Sequence, residues 1–141
     1  MTATGLDVFE GTLQKTSVWL NEIMAELDSH DRHLAYLALR ATLHALRDRL
    51  PIEAAVHLGA QLPMLIRGLY YEGWTLSAKP VKEHRAEFLG TVRSQFNPDA
   101  PLDAERVTRG VLKVLAHHVS AGEIENVKLL LPKDLRDLWP R

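Results

Sequence analysis

The sequence predicts an all-α protein: a single helical bundle of about eight helices, built from two tandem four-helix repeats at an offset of 69 residues. Three observations carry this expectation. Every segment outside the Pro- and Gly-rich breaks spaces its apolar residues by three and four, the period of a helix that buries one face. Leu62-Pro63 returns as Leu131-Pro132. A shift of 69 also aligns the chain with itself without a gap, placing Trp19 on Phe88, Ile23 on Val92, Leu27 on Phe96, Arg40 on Arg109, Leu46 on Leu115, Arg67 on Arg136 and Tyr70 on Trp139. Any two amphipathic helices share apolar periodicity, so the argument rests on the Leu-Pro pair, the two arginines and the ungapped length.

The first helix is predicted over about 12–27, with Leu13, Trp19, Leu20, Ile23, Met24 and Leu27 on its apolar side. The polar run Asp28-Ser29-His30-Asp31 ends it and supplies cap residues for the next start. The second helix, about 32–49, carries Leu39, Leu43, Leu46 and Leu50 on one stripe and Leu34, Ala38, Ala41 and Ala45 on another, so it should be central. Pro51 and Pro63 suit the first turns of two short helices, about 52–59 and 64–71, because a proline there leaves no amide unpaired. Glu72-Gly73-Trp74 should end the fourth helix, and 75–80 reads as a linker. The fifth helix, about 81–96, is broken by Asn97-Pro98-Asp99-Ala100-Pro101. The sixth starts at the cap residue Asp103, and the seventh behind Ser120, which stands at capping-box spacing from Glu123. Pro132 opens the eighth, ending at Leu138-Trp139. The repeats then cover about 12–74 and 81–140 of one domain, 1–141, with four long and four short helices.

A chain of 141 residues at this composition can build a core without staples, and it has no cysteine, which excludes disulfides and thiolate metal sites and suits a cytoplasmic location. Seventeen basic and eighteen acidic residues leave a net charge of −1, which argues against a nucleic-acid or membrane-surface protein. No apolar run approaches a membrane span and the N-terminus lacks the pattern of a signal peptide.

Chemistry-bearing groups are sparse. Seven histidines invite a metal reading, but there is no HExxH, and adjacent residues such as His117 and His118 should diverge by about 100° on a helix, so no metal or other cofactor is expected. No serine sits in a nucleophile elbow and no Gly-rich phosphate loop exists, so no catalytic residue is assigned and the protein is expected not to be an enzyme. Arg47-Asp48-Arg49 has guanidinium forks suited to oxyanions, set against the plainer reading of a salt-bridge network. Tyr70, Tyr71, Glu72 and Trp74 gather aromatic rings beside a carboxylate, as a ligand pocket or partner interface would, or as a core plug would.

A duplicated scaffold needs its core positions twice and its working residues once. Arg47-Asp48-Arg49 has Ala116-His117-His118 in its place, and Tyr71-Glu72-Gly73-Trp74 has no counterpart beyond Pro140-Arg141. A site is therefore expected near Arg47, Arg49, Tyr71, Glu72 and Trp74, with His57 and Gln61 as rim residues.

The runs LRDRLPIEAAVHLGAQLPMLIRGLYYEGW and LKVLAHHVSAGEIENVKLLLPKDLRDLWP closely resemble a bacterial domain-of-unknown-function family, number 2267, over nearly the whole chain from about Phe9 to Pro140. The resemblance implies an all-helical fold, no known reaction and no catalytic residues to transfer. The function expected is a non-catalytic helical interaction or adaptor module, with a protein partner or a second copy of itself. The alternative is a protein binding a small molecule or anion at the Arg/aromatic cluster.

Overall fold

The centre of the protein is a helix with alanines on one side. Ala35, Ala38, Ala41 and Ala45 let neighbours approach closely, while Leu39, Leu43, Leu46 and Leu50 fill the space on the other side, and all eight are buried. The computed structural model describes residues 3–76 and 84–141. Those residues form eight helices and no strand: α1 (Asp7–Glu26), α2 (Arg32–Arg49), α3 (Ile52–Gly59), α4 (Met64–Tyr71), α5 (Arg85–Arg93), α6 (Ala104–His118), α7 (Ala121–Leu130) and α8 (Lys133–Arg136). The central helix is α2, which packs against α1, α4, α5 and α6; α1 and α5 also lie on α6, and α3 joins α4 and α7.

Local chemistry sets the boundaries. α1 ends with Leu27 as cap and Asp28 in the left-handed region at φ 49. The amides of Asp28 and Ser29 donate back to the carbonyls of Ala25 and Met24, which closes the end of α1 with a paired backbone. Asp31 then accepts from the amide of Leu34 and caps α2. Pro51, Pro63 and Pro132 stand one residue ahead of α3, α4 and α8, at φ −55, −58 and −54 with extended ψ. They occupy the cap rather than the first turn, because the ring fixes a suitable φ while ψ still turns the chain into the helix. Gly110 on α6 permits a close approach to the end of α1: a Cβ there would lie 3.2 Å from Leu27 Cδ2 and 3.3 Å from Glu26 Cβ.

Several boundaries differ from expectation. α1 begins five residues earlier than 12, since Asp7 and Glu10 suit a first turn and Leu6 provides the extended cap. α5 starts at Arg85 behind the extended cap His84 and ends at Arg93 rather than near 96, nine residues in all, so the pattern of four long and four short helices does not hold among the described residues. The expected start of that helix, 81–83, and most of the linker, 77–80, lie outside the described residues. α8 has a single turn, because Asp137 is its cap and the amides of Leu138 and Trp139 fold back onto Leu135 and Arg136.

Candidate functional site

The Arg/aromatic cluster lies where α4 ends against α2. Arg47, on the last turn of α2, is only 4 % exposed. Its Nη1 donates to the carbonyls of Tyr70 at 2.8 Å and Glu72 at 3.0 Å, and its Nε donates to Asp48 at 2.8 Å. Carbonyls at a helix end carry partial negative charge and lack intrahelical partners, so a buried guanidinium beside them satisfies both sides. Tyr71 stacks on Trp74 with centroids 5.6 Å apart, Tyr71 meets Tyr70 edge-on at 5.0 Å, and the Arg47 guanidinium carbon lies 6.0 Å from the Trp74 ring. Tyr70 donates its hydroxyl to the carbonyl of Ala55 at 2.6 Å, and burial pushes its phenol well above the ordinary value. Arg49 is buried as well. Tyr71 and Trp74 are half-buried and the Glu72 side chain is exposed.

His57 and Gln61 sit elsewhere, on the seam between α3 and α7. His57 Nδ1 meets the Oε2 of Glu123, a carboxylate that α7 keeps buried. Gln61 Oε1 accepts from the Ser120 amide at 3.0 Å, while Ser120 Oγ accepts from the Glu123 amide at 3.2 Å. The expected capping box is therefore half-made from a distance: Gln61 takes the place of the Glu123 carboxylate, which His57 has drawn away. Of the seven residues expected at a site, Arg47, Glu72, Tyr71 and Trp74 come together, Arg49 is buried at the end of α2, and the contacts of His57 and Gln61 lie on the α3–α7 seam instead.

Sequence reasoning missed an apolar concavity. Phe9, Thr12, Leu13, Thr16 and Leu20 of α1, Tyr36 and Leu39 of α2, and Met64, Leu65 and Leu69 of α4 line a groove of about 610 Å³ whose only charged lining residue is Glu72. Phe9, Leu13, Tyr36, Met64 and Leu65 are all exposed there. The available signal was Phe9 one turn ahead of Leu13, an apolar pair that only makes sense once α1 starts before residue 12.

The adjacent histidines of α6 also depart from expectation. His117 Nδ1 lies 2.8 Å from Glu22 Oε1, and His118 Nε2 meets the other carboxylate oxygen of the same residue. Their Cβ directions do diverge, but Glu22 on α1 stands opposite the gap between them. One ring reaches it with its near nitrogen and the other with its far nitrogen. His118 is stacked on Trp19 with centroids 4.7 Å apart, which holds that ring in place.

Among the described residues no helix is long and apolar enough to cross a membrane. Comparison with curated proteins finds no match. The model of one family, described as "Uncharacterized conserved protein (DUF2267)", matches residues 16–138, which takes in seven whole helices and the C-terminal half of α1. The match across nearly the entire chain places this protein in the DUF2267 family.

Proposed function

We propose that the protein is a non-catalytic helical interaction module whose working surface is the apolar groove between α1, α2 and α4, and that its occupant is an amphipathic helix of a partner protein carrying a basic residue. The observation that carries this reading is the groove itself. A monomer rarely leaves five large apolar side chains exposed around one concavity, and three helix walls accept a fourth helix through anchors at i, i+3, i+4 and i+7. Glu72, the one charged lining residue, favours a lysine or arginine on the incoming helix.

An anion or small-molecule site at Arg47, Arg49, Tyr71 and Trp74 has less support, because the Arg47 guanidinium already bonds the carbonyls of Tyr70 and Glu72 and the Asp48 carboxylate. The test is selection of helical peptides from a display library on the full chain, with Leu65→Asp as counter-target. Enriched peptides should carry an apolar stripe and a basic residue, should lose affinity for Leu65→Asp, and should bind Glu72→Gln more weakly. Selection of acidic or patternless peptides, or equal binding to Leu65→Asp, overturns the reading. Light scattering that shows a dimer dissociated by Leu65→Asp would assign the groove to a second copy instead.

A further inference from the structure

We infer that Glu22, His117 and His118 form a binding site for a divalent transition-metal cation of the Zn²⁺ or Co²⁺ type. Two imidazoles and one carboxylate are the donor set that such borderline cations take, and three protein ligands leave a coordination position open to solvent or to a further ligand. The donor atoms of the three residues all lie within 4.8 Å of one another. Ligand atoms about a tetrahedral zinc stand roughly 3.3 Å apart, given bonds of about 2.0–2.1 Å, so the two short His–Glu contacts open slightly and any wider separation in the triad closes to admit the ion.

Three features make the site more than a chance meeting of surface side chains. Trp19 is stacked on the His118 ring, and it is a core residue that cannot follow a drifting side chain. One turn along each helix, Lys113 Nζ pairs with Glu26 at 3.2 Å across the same contact, and the packing of α1 on α6 sets the spacing of the ligands. The third is access. His117 is 68 % exposed, so an ion reaches the triad directly from solvent, which also supplies its remaining ligand.

The plain alternative is that the two histidines only pair with Glu22 and tie α6 to α1. Titration of the full chain, prepared without a polyhistidine tag and dialysed against chelator, separates the two with Zn²⁺ and Co²⁺ as probes. We expect one ion per chain by calorimetry and a visible Co²⁺ absorption band. His117→Ala, His118→Ala or Glu22→Gln should each weaken binding by more than about tenfold, and the exposed His30→Ala should not. A second readout is melting temperature, raised by Zn²⁺ in the wild type and unchanged by it in the His117→Ala/His118→Ala double variant. Absence of the Co²⁺ band, its persistence in the double variant, or its loss in His30→Ala would overturn the assignment.

Discussion

Arg67 and Arg136 make corresponding hydrogen bonds 69 positions apart. Arg67 donates from Nε to Gly59 at 3.0 Å and from Nη2 to Ala60 at 3.2 Å and Leu62 at 2.9 Å. Arg136 donates to Lys128 at 3.0 Å, Leu129 at 3.4 Å and Leu131 at 3.3 Å. Each arginine reaches back across its proline elbow to the carbonyls that end the preceding short helix, two of which, Gly59 and Lys128, also accept a backbone amide. Charged donors to helix-end carbonyls contribute more than neutral ones, but both side chains are partly solvated. Arg67→Ala and Arg136→Ala should therefore each cost about 1–2 kcal/mol in urea denaturation. Lysine should rescue only part of that, because it lacks the fork. A cost under about 0.5 kcal/mol at both positions would mean that water serves these carbonyls equally well.

The prolines ahead of α4 and α8 act on the unfolded chain more than on the folded one. Pro63 and Pro132 sit at φ values their rings prefer, and a cap amide is outside the intrahelical ladder, so alanine removes no backbone hydrogen bond from the native state. Pro63→Ala and Pro132→Ala should each cost about 0.4–1 kcal/mol through added freedom in the denatured ensemble. A loss of several kcal/mol in chemical denaturation would show that ring packing, not chain stiffness, holds the elbow.

The sequence was most legible where one signal determined one feature. Helix existence followed from apolar spacing, and the boundaries of α2, α3 and α4 followed from Asp31, Pro51 and Pro63, whose chemistry is local. The site was less legible because its residues are chosen by neighbours distant in sequence. Nothing around Gln61 indicates that it caps Ser120, and nothing around Glu22 indicates that two histidines some 95 positions away converge on it. Arg47 was ambiguous for a related reason: a guanidinium suited to an oxyanion is equally suited to the carbonyls of a helix end. Beyond the Phe9–Leu13 spacing the groove left little trace, because apolar residues that face a groove and those that face a core have the same period.

Gly59 and Tyr71 are matched in space. A Cβ on Gly59 would stand 2.7 Å from Tyr71 Cζ and 3.1 Å from Tyr70 Cε2, with the Tyr71 hydroxyl closer still. Tyr70 is a fully buried plug and cannot move away, whereas half-buried Tyr71 can swing out and abandon Trp74. Gly59→Ala should cost about 1–3 kcal/mol as an overpacking change, although alanine is the better helix former. In the Gly59→Ala/Tyr71→Ala pair the two costs should not add, with a coupling of about 1 kcal/mol or more in a double-mutant cycle. Strict additivity would show that the α3–α4 contact tolerates a methyl group.

Arg47 should matter far more than the ring beside it. Arg47→Met fills similar volume but leaves the buried Tyr70 carbonyl without its donor, and we expect a loss of about 2–4 kcal/mol. Trp74→Ala should cost only about 1–2 kcal/mol, since the ring is half-buried and stacks on Tyr71 and Arg47 rather than filling the core. The reverse ranking in thermal or urea unfolding would restore a ligand-binding role to Arg47, as a charge held at a cost in stability.

His44 gives the fold a pH response with a definite sign. Burial among α2 and α4 lowers its pKa below 6.5, the Leu69 carbonyl that accepts from Nε2 at 2.7 Å opposes that shift, and nearby Arg47 and Arg40 add to it. Above pH 6.5 the imidazole is neutral in both folded and unfolded chains, so its contribution to stability is constant. As pH falls through 6.5 the unfolded chain takes up the proton first, and stability drops until the lower folded pKa is reached, below which the curve flattens. An NMR titration should place the His44 midpoint below 6.5, and His44→Gln, whose amide can still donate to Leu69, should remove part of the stability lost between neutral and mildly acidic pH. A His44 midpoint at or above 6.5, or an unchanged pH slope in His44→Gln, would mean that water reaches the ring and that the charged form is as well accommodated as the neutral one.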